Sequence, residues 1–200
     1  MTDISDRRDS TPGPDEAMIW DPALRAFHWL LAAAVIGGWL LGHFGPLQMT
    51  LHFWLGYCVI ALLAFRLIWG FVGPPSARFA SFVKGPKAVL SYAHSLPERK
   101  AIRLRGHNPL GGWSVIAMLV LLAAQVGTGL IIDPEDYINI GPLADSVSPE
   151  WNRWALGMHH RLSALLLVLV VLHVAAILFY RIWKREDLVT PMITGRRKDG

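Results

Sequence analysis

The forty residues from 26 to 65 contain no Asp, Glu, Lys or Arg. That is twice the roughly 20 residues one helix needs to cross a bilayer. Gly42, Gly45 and Pro46 near the middle read as a turn, so two spans are predicted at about 24–44 and 51–71. Two more charge-free runs, 106–132 and 162–180, predict a third span at about 107–132 and a fourth at about 154–183. Lipid offers the backbone no hydrogen-bond partner, so apolar runs of this length fold as helices. The expected fold is an all-α integral membrane protein, a four-transmembrane-helix bundle. Composition agrees: 17% of the 200 residues are charged, against roughly 25% in soluble domains. One cysteine, Cys58, excludes a disulfide framework, a C-x-x-C-H haem attachment site and any four-cysteine metal cage.

The placement of Lys and Arg sets the expected orientation. Arg7, Arg8 and Arg25 precede span one. Arg66, Arg78, Lys84, Lys87, Arg99, Lys100, Arg103 and Arg105 lie between spans two and three. Arg181, Lys184, Arg185, Arg196, Arg197 and Lys198 follow span four. The turn at 42–50 has none, and 133–153 has only Arg153 against Asp133, Glu135, Asp136, Asp145 and Glu150. Both termini are therefore expected in the cytoplasm. The net charge of +4 follows from topology, so the partner is membrane lipid and no nucleic acid is expected. Residues 1–19 read as a flexible polar tail without a cleavable signal, 20–187 as the membrane domain, and 188–200 as a C-terminal tail. Within the basic loop 76–105, Pro86 opens a short helix. Val89, Tyr92, Ala93 and Leu96 fall at helical spacing on it, as suits the inner membrane surface.

Ionisable residues in or beside spans mark function by default, and here they are mostly histidines. His159 and His173 are 14 apart, just under four turns, so they share a helix face about 21 Å apart along the axis. Running the spans in alternating direction places His28 and His173 near the inner surface, and His52 and His159 near the outer one. Each depth-matched pair brackets one iron. The cofactor call is two haem b groups, each non-covalent and bis-His ligated. Two axial imidazoles leave no open iron position, which favours electron transfer.

Gly42, 14 residues after His28, and Gly56, one turn after His52, leave room for a flat macrocycle or allow close helix packing. Arg25, Arg66 and Arg161 are candidate partners for anionic propionates. Arg25 and Arg66 equally suit snorkelling to the inner surface. His160 is the alternative to His159. His43, His94 and His107 read as interfacial side chains or donors behind the ligands. Gln125 and Thr128 on span three read as hydrogen bonders between helices, and Cys58 as a small core residue.

The runs WDPALRAFHWLLA around His28, LHFWLGY around His52 and HHRLSALLLVLVVLHVAAI across His159 and His173 resemble bacterial cytochrome b561 proteins. GHNPLGGW, opening span three, resembles the related hydrogenase-type b cytochromes. The resemblance runs from Trp20 to Arg185. It implies a di-haem cytochrome of the bacterial inner (plasma) membrane that exchanges electrons with ubiquinone or its quinol, with ligand roles on His28, His52, His159 and His173. The expected function is electron transfer between the quinone pool and a redox partner, such as a periplasmic c-type cytochrome steered by the acidic loop. Two alternatives stand beside it: a superoxide:ubiquinone oxidoreductase, and a haem-bearing anchor subunit of a hydrogenase or dehydrogenase.

Overall fold

The computed structural model describes residues 19–47, 49–99 and 106–196. The expected tail at 1–18 and the basic residues Arg7, Arg8, Lys100, Arg103, Arg105, Arg197 and Lys198 lie outside the described residues. What is described is helical, with no strand among the described residues.

Four helices are long and apolar enough to cross a membrane: α1 (Pro22–Phe44), α2 (Thr50–Val72), α5 (Pro109–Leu130) and α6 (Pro149–Phe179), the last continuing through a π-helical turn at Tyr180–Lys184. Short helices α3 (Phe79–Phe82) and α4 (Pro86–His94) lie in the loop between α2 and α5, and α7 (Val189–Thr194) follows α6. Three spans open on a polar residue followed by proline. Asp21 Oδ1 accepts from Leu24 N at 3.0 Å, Asn108 Oδ1 accepts from Gly111 N at 2.7 Å, and Ser148 precedes Pro149. A side-chain oxygen satisfies an otherwise orphaned N–H, and proline brings a preset φ without an N–H to lose. The fourth helix thus begins at Pro149, earlier than the start near 154 expected from charge alone. Glu150 and Arg153 ride on its first turns, where water still reaches them, and they pair at 3.8 Å.

Large apolar side chains point outward all along the spans: Leu30, Leu51, Ile68, Val120, Val168 and Leu172 are each more than half exposed. A bilayer solvates such a surface and water does not. Inside, Ala34, Val59, Leu121, Leu122 and Leu166 form one buried cluster, and Trp20, Leu24, Phe27 and Ala77 form a second at the end of the bundle where span one begins, called the inner end after the orientation expected from the charges.

Packing between spans is uneven. α1 packs closely on α2, α5 on α6, and α2 on α5, while α6 has only marginal backbone contact with α1 or α2 among the described residues. The bundle is two helical hairpins with a seam between α6 and the α1–α2 pair. Each end of the seam is tied. On the outer side Asn139, buried, donates to Leu47 O at 2.8 Å and accepts from Met49 N at 2.9 Å, joining the α5–α6 loop to the α1–α2 turn. On the inner side the C-terminal segment crosses to the start of α1. Gly195 O accepts from Ile19 N at 2.8 Å, Met192 O from Trp29 Nε1 at 3.1 Å, and Ile193 O from an Arg25 Nη1 donor. Gly195 has φ +83°, and a Cβ there would meet Trp20 O at 3.0 Å, so this crossing needs glycine.

α4 begins at Pro86 as expected and ends at His94, short of Leu96. It is pinned rather than merely resting on the surface. Tyr92 OH shares a 2.7 Å hydrogen bond with Tyr180 OH, which also accepts from Asn108 Nδ2 at 3.0 Å. Burial raises the Tyr92 pKa above the usual tyrosine value, so the phenol stays protonated in this bond.

Candidate functional site

The histidines meet in two pairs across the seam. The His28 and His173 ring centroids lie 6.4 Å apart, and those of His52 and His159 lie 6.1 Å apart. A metal–imidazole bond is about 2 Å long, so two such bonds plus the two ring radii give a centroid separation on the order of 6 Å. Among the described residues no group of three or more His, Cys, Asp or Glu could hold a metal. Either pair has the spacing to offer two imidazoles to one metal, whose remaining positions would fall to a ligand that is not protein. An iron porphyrin has that demand.

In the outer pair each ring leans on the backbone of the neighbouring helix. His52 Nδ1 is 2.9 Å from Gly38 O on α1, and His159 Nδ1 is 3.0 Å from Gln125 O on α5. A carbonyl can only accept, so Nδ1 carries the proton in both rings and Nε2 keeps its lone pair, the form a metal binds. One turn beyond each carbonyl stands a glycine. A Cβ on Gly42 would lie 3.4 Å from His52 Cε1, and one on Gly129 would lie 3.0 Å from His159 Cε1. Thr128 Oγ1 adds a 3.2 Å contact to His159 Nδ1, and Gln125 Nε2 stands 3.1 Å from His159 Nε2. The bonding of Gln125 and Thr128 between helices is thus directed at one imidazole.

A cavity of about 330 Å³ opens beside this pair, lined largely by apolar groups including Ala34, Val59 and Leu166. Gly38 and Gly56 both line it, and a Cβ on either would meet nothing within 4 Å. Gly56 therefore faces open space, whereas Gly42 makes room for the His52 ring itself. His43 and His160 line the same cavity without joining a pair; His43 stacks on Trp39 at 4.3 Å. Asp136 also borders it. Arg161 lies on the exposed side of α6 and is not among the lining residues. Two residues from His159 is about 200° around a helix, which turns Arg161 away from the pair.

The inner pair has a different setting. His28 Nδ1 is buried without a hydrogen-bond partner. Arg66, 2% exposed, does not snorkel: its guanidinium lies 4.5 Å from the Phe79 ring centroid and 5.7 Å from that of Phe82. Arg25 reaches the C-terminal segment through Nη1, while its Nε is buried and unpartnered. His107, just outside the third span, sits between Trp20 and Phe82 with ring centroids 4.7 Å from each. Burial, with Arg66 nearby, pushes its pKa down to about 4, so the ring is neutral near pH 7.

Sequence reasoning singled out the four paired histidines, Arg66 and Gln125. It missed Gly38, Gly129 and Asn139, and it read His107 as an interfacial side chain or a donor behind the ligands, beside Arg25 and Arg66 at the first place to look for a quinone. Gly129, one turn after Gln125 on span three, repeats the placement of Gly42 one turn after Gly38.

The residues present have the spacing to hold a flat cofactor between each imidazole pair, and the outer pair has a cavity beside it. A curated relative from Rhizobium leguminosarum bv. viciae, described as a probable Ni/Fe-hydrogenase B-type cytochrome subunit, is 24% identical over 90% of this chain and 87% of its own. No solved structure matches. The sequence pattern described as prokaryotic cytochrome b561 matches residues 19–195. The chain therefore belongs to the prokaryotic cytochrome b561 family, as a multi-pass membrane protein with a haem-b electron-transfer role.

Proposed function

We propose that this chain is a di-haem cytochrome of the bacterial inner membrane, with both termini cytoplasmic, that moves electrons between the quinone pool and a redox partner. The facing of His28 with His173 and of His52 with His159 across the seam, where backbones stay apart, carries this reading. Haem b supplies a reversible one-electron change at iron when bound. The chain's own residues do the rest. Gly38 O and Gln125 O hold the outer rings in the tautomer whose Nε2 keeps its lone pair, and on His159 the Gln125 amide that now donates to that lone pair at 3.1 Å would turn aside for iron. Two imidazoles per iron close both axial positions, which suits outer-sphere electron transfer. Gly56 and Gly38 would leave room for a flat macrocycle in the outer cavity, and Gly42 and Gly129 make room for the His52 and His159 rings. Arg25 and Arg66 place positive charge at the inner end, where propionates need it.

The hydrogenase-subunit relative favours a second reading of the partner, in which the chain anchors a hydrogenase or dehydrogenase and takes up its electrons. Co-purification of a metalloenzyme subunit would select it. The acidic outer loop favours a basic c-type cytochrome instead, by charge complementarity. Superoxide chemistry is disfavoured, because Asp136 borders the outer cavity and Arg161 points away from it.

Absorption and EPR spectra of the purified protein test the reading. Two six-coordinate low-spin haems per chain are expected, reducible by quinol without superoxide. A colourless protein, or retention of both haems in all four single His→Ala variants, would overturn it.

A further inference from the structure

Five buried polar atoms at the inner end of the bundle have no hydrogen-bond partner among the described residues: Asp21 Oδ2, Arg25 Nε, His28 Nδ1, Arg66 Nη1 and His107 Nδ1. Folded proteins satisfy nearly all such groups, so a concentration of them marks a place where something else binds. His28 belongs to the imidazole pair with His173. Arg66 and His107 are not. Both pack on the same ring, Phe82, at 5.7 Å from the Arg66 guanidinium and 4.7 Å from the His107 centroid. Arg66 forms no ion pair among the described residues, although Asp21 is near enough to influence it electrostatically. Asp21 uses Oδ1 to cap α1 and to accept from Trp69 Nε1 at 3.2 Å. Asp21 thus reaches Arg66 only through its field, and the buried guanidinium has no carboxylate in contact among the described residues. Uncompensated buried charge is costly, and an anion relieves it.

We propose that Arg66 Nη1 and His107 Nδ1 together form a carboxylate-binding subsite at the inner end of the seam. The planar guanidinium presents N–H groups in the geometry a carboxylate accepts, and His107 in its Nδ1–H tautomer supplies a second donor. The single charge on the buried Arg66 matches a single carboxylate. Electrostatic reach from His107 to both His28 and His173 puts the subsite beside the inner imidazole pair. Its occupant is either a propionate of the inner haem, in which case the proposal rests on the function proposed above, or a free carboxylate entering from the cytoplasm.

The test uses the holoprotein grown with ¹³C-labelled haem propionates, comparing wild type with Arg66→Gln, His107→Ala and the conservative pair Arg66→Lys and His107→Gln. Redox-difference infrared spectra read the labelled carboxylate bands. Potentiometry reads each haem separately. If propionate is the occupant, the labelled bands shift in Arg66→Gln and His107→Ala. The inner haem then becomes harder to reduce, the outer haem is unmoved, and the conservative variants recover part of the effect. If the occupant is a free carboxylate, those bands stay put, while acetate shifts the inner haem saturably in wild type and not in Arg66→Gln. No band shift together with no acetate response would overturn the subsite. A wild type without bis-imidazole haem would instead remove the electron-transfer reading. Acetate titrated calorimetrically into that protein would still decide the subsite: saturable binding lost in Arg66→Gln supports it, and equal or absent binding ends it.

Discussion

The two ends of the seam hold the same pair of side chains in opposite ways. At the outer end the imidazoles are fixed by backbone: each Nδ1 meets a helix carbonyl, and each ring lies beside a glycine one turn further on. Little formal charge is near apart from Asp136, and there is a ready cavity. At the inner end the rings have charged and aromatic neighbours. His28 Nδ1 has no partner, Arg66 is buried against phenylalanines, and a C-terminal segment closes over the start of α1. A backbone carbonyl on a helix cannot move without moving the helix, so the outer geometry is set by the fold alone. The inner geometry depends on side chains and on a short strap, so it should respond more to ligand, mutation and pH.

The largest expected effects test the pairing itself. His52→Ala or His159→Ala should remove the outer low-spin haem and spare the inner. His28→Ala or His173→Ala should do the reverse, as read by EPR and haem content. Loss of both haems from every variant would erase the distinction between the ends. Next come the glycines. Gly129→Ala puts a methyl group 3.0 Å from the His159 ring, and overpacking of this kind typically costs about 1–3 kcal/mol. The outer haem should become partly high-spin. Gly56→Leu fills open space, so it should leave the thermal stability of haem-depleted protein unchanged while lowering haem occupancy. Equal effects of the two on haem-depleted protein would contradict the different roles assigned to these glycines.

Much of this was legible in the sequence because membranes impose strict rules. Charge-free runs fixed four spans to within a few residues, and a 14-residue spacing on one helix fixed which histidines share a face. Two other features obeyed equally simple rules that charge counting overrode. The Ser148–Pro149 start of α6 carries a cap signal, but Glu150 and Arg153 marked the segment as loop. Arg161 was chosen for its charge, although its angular position on the helix turns it outward. The C-terminal strap was not legible at all. α7 has six residues, too few for periodicity to register, and it is held through backbone carbonyls that any sequence possesses. Only Gly195, at its positive φ, left a trace in the residue code. The docking of His52 and His159 on carbonyls was hidden for the same reason.

That strap gives the third prediction. Gly195→Val forces a β-branched residue to φ +83° against Trp20 O, and a left-handed conformation costs an L-residue roughly 1–2 kcal/mol. Proteolysis near 186–196 should accelerate, and the inner haem should be lost on dilution faster than the outer. Equal loss of both would mean that the strap holds the bundle as a whole.

The smallest effect is one of pH. His107 has a folded pKa of about 4 against an ordinary 6.5. Between those values the unfolded chain binds a proton that the folded chain does not, so stability rises with pH across the window and falls as pH drops below 6.5. At pH 5.5 the loss is about 1.4 kcal/mol, one pH unit's worth. Because His107 sits at the inner end, thermal loss of the inner haem should come forward between pH 6.5 and 4. His107→Gln, which cannot gain the proton, should flatten that dependence without altering the outer haem. An inner site whose stability over this range is the same in wild type and His107→Gln would show that the imidazole becomes charged in place. The inner end would then be as insensitive as the outer one.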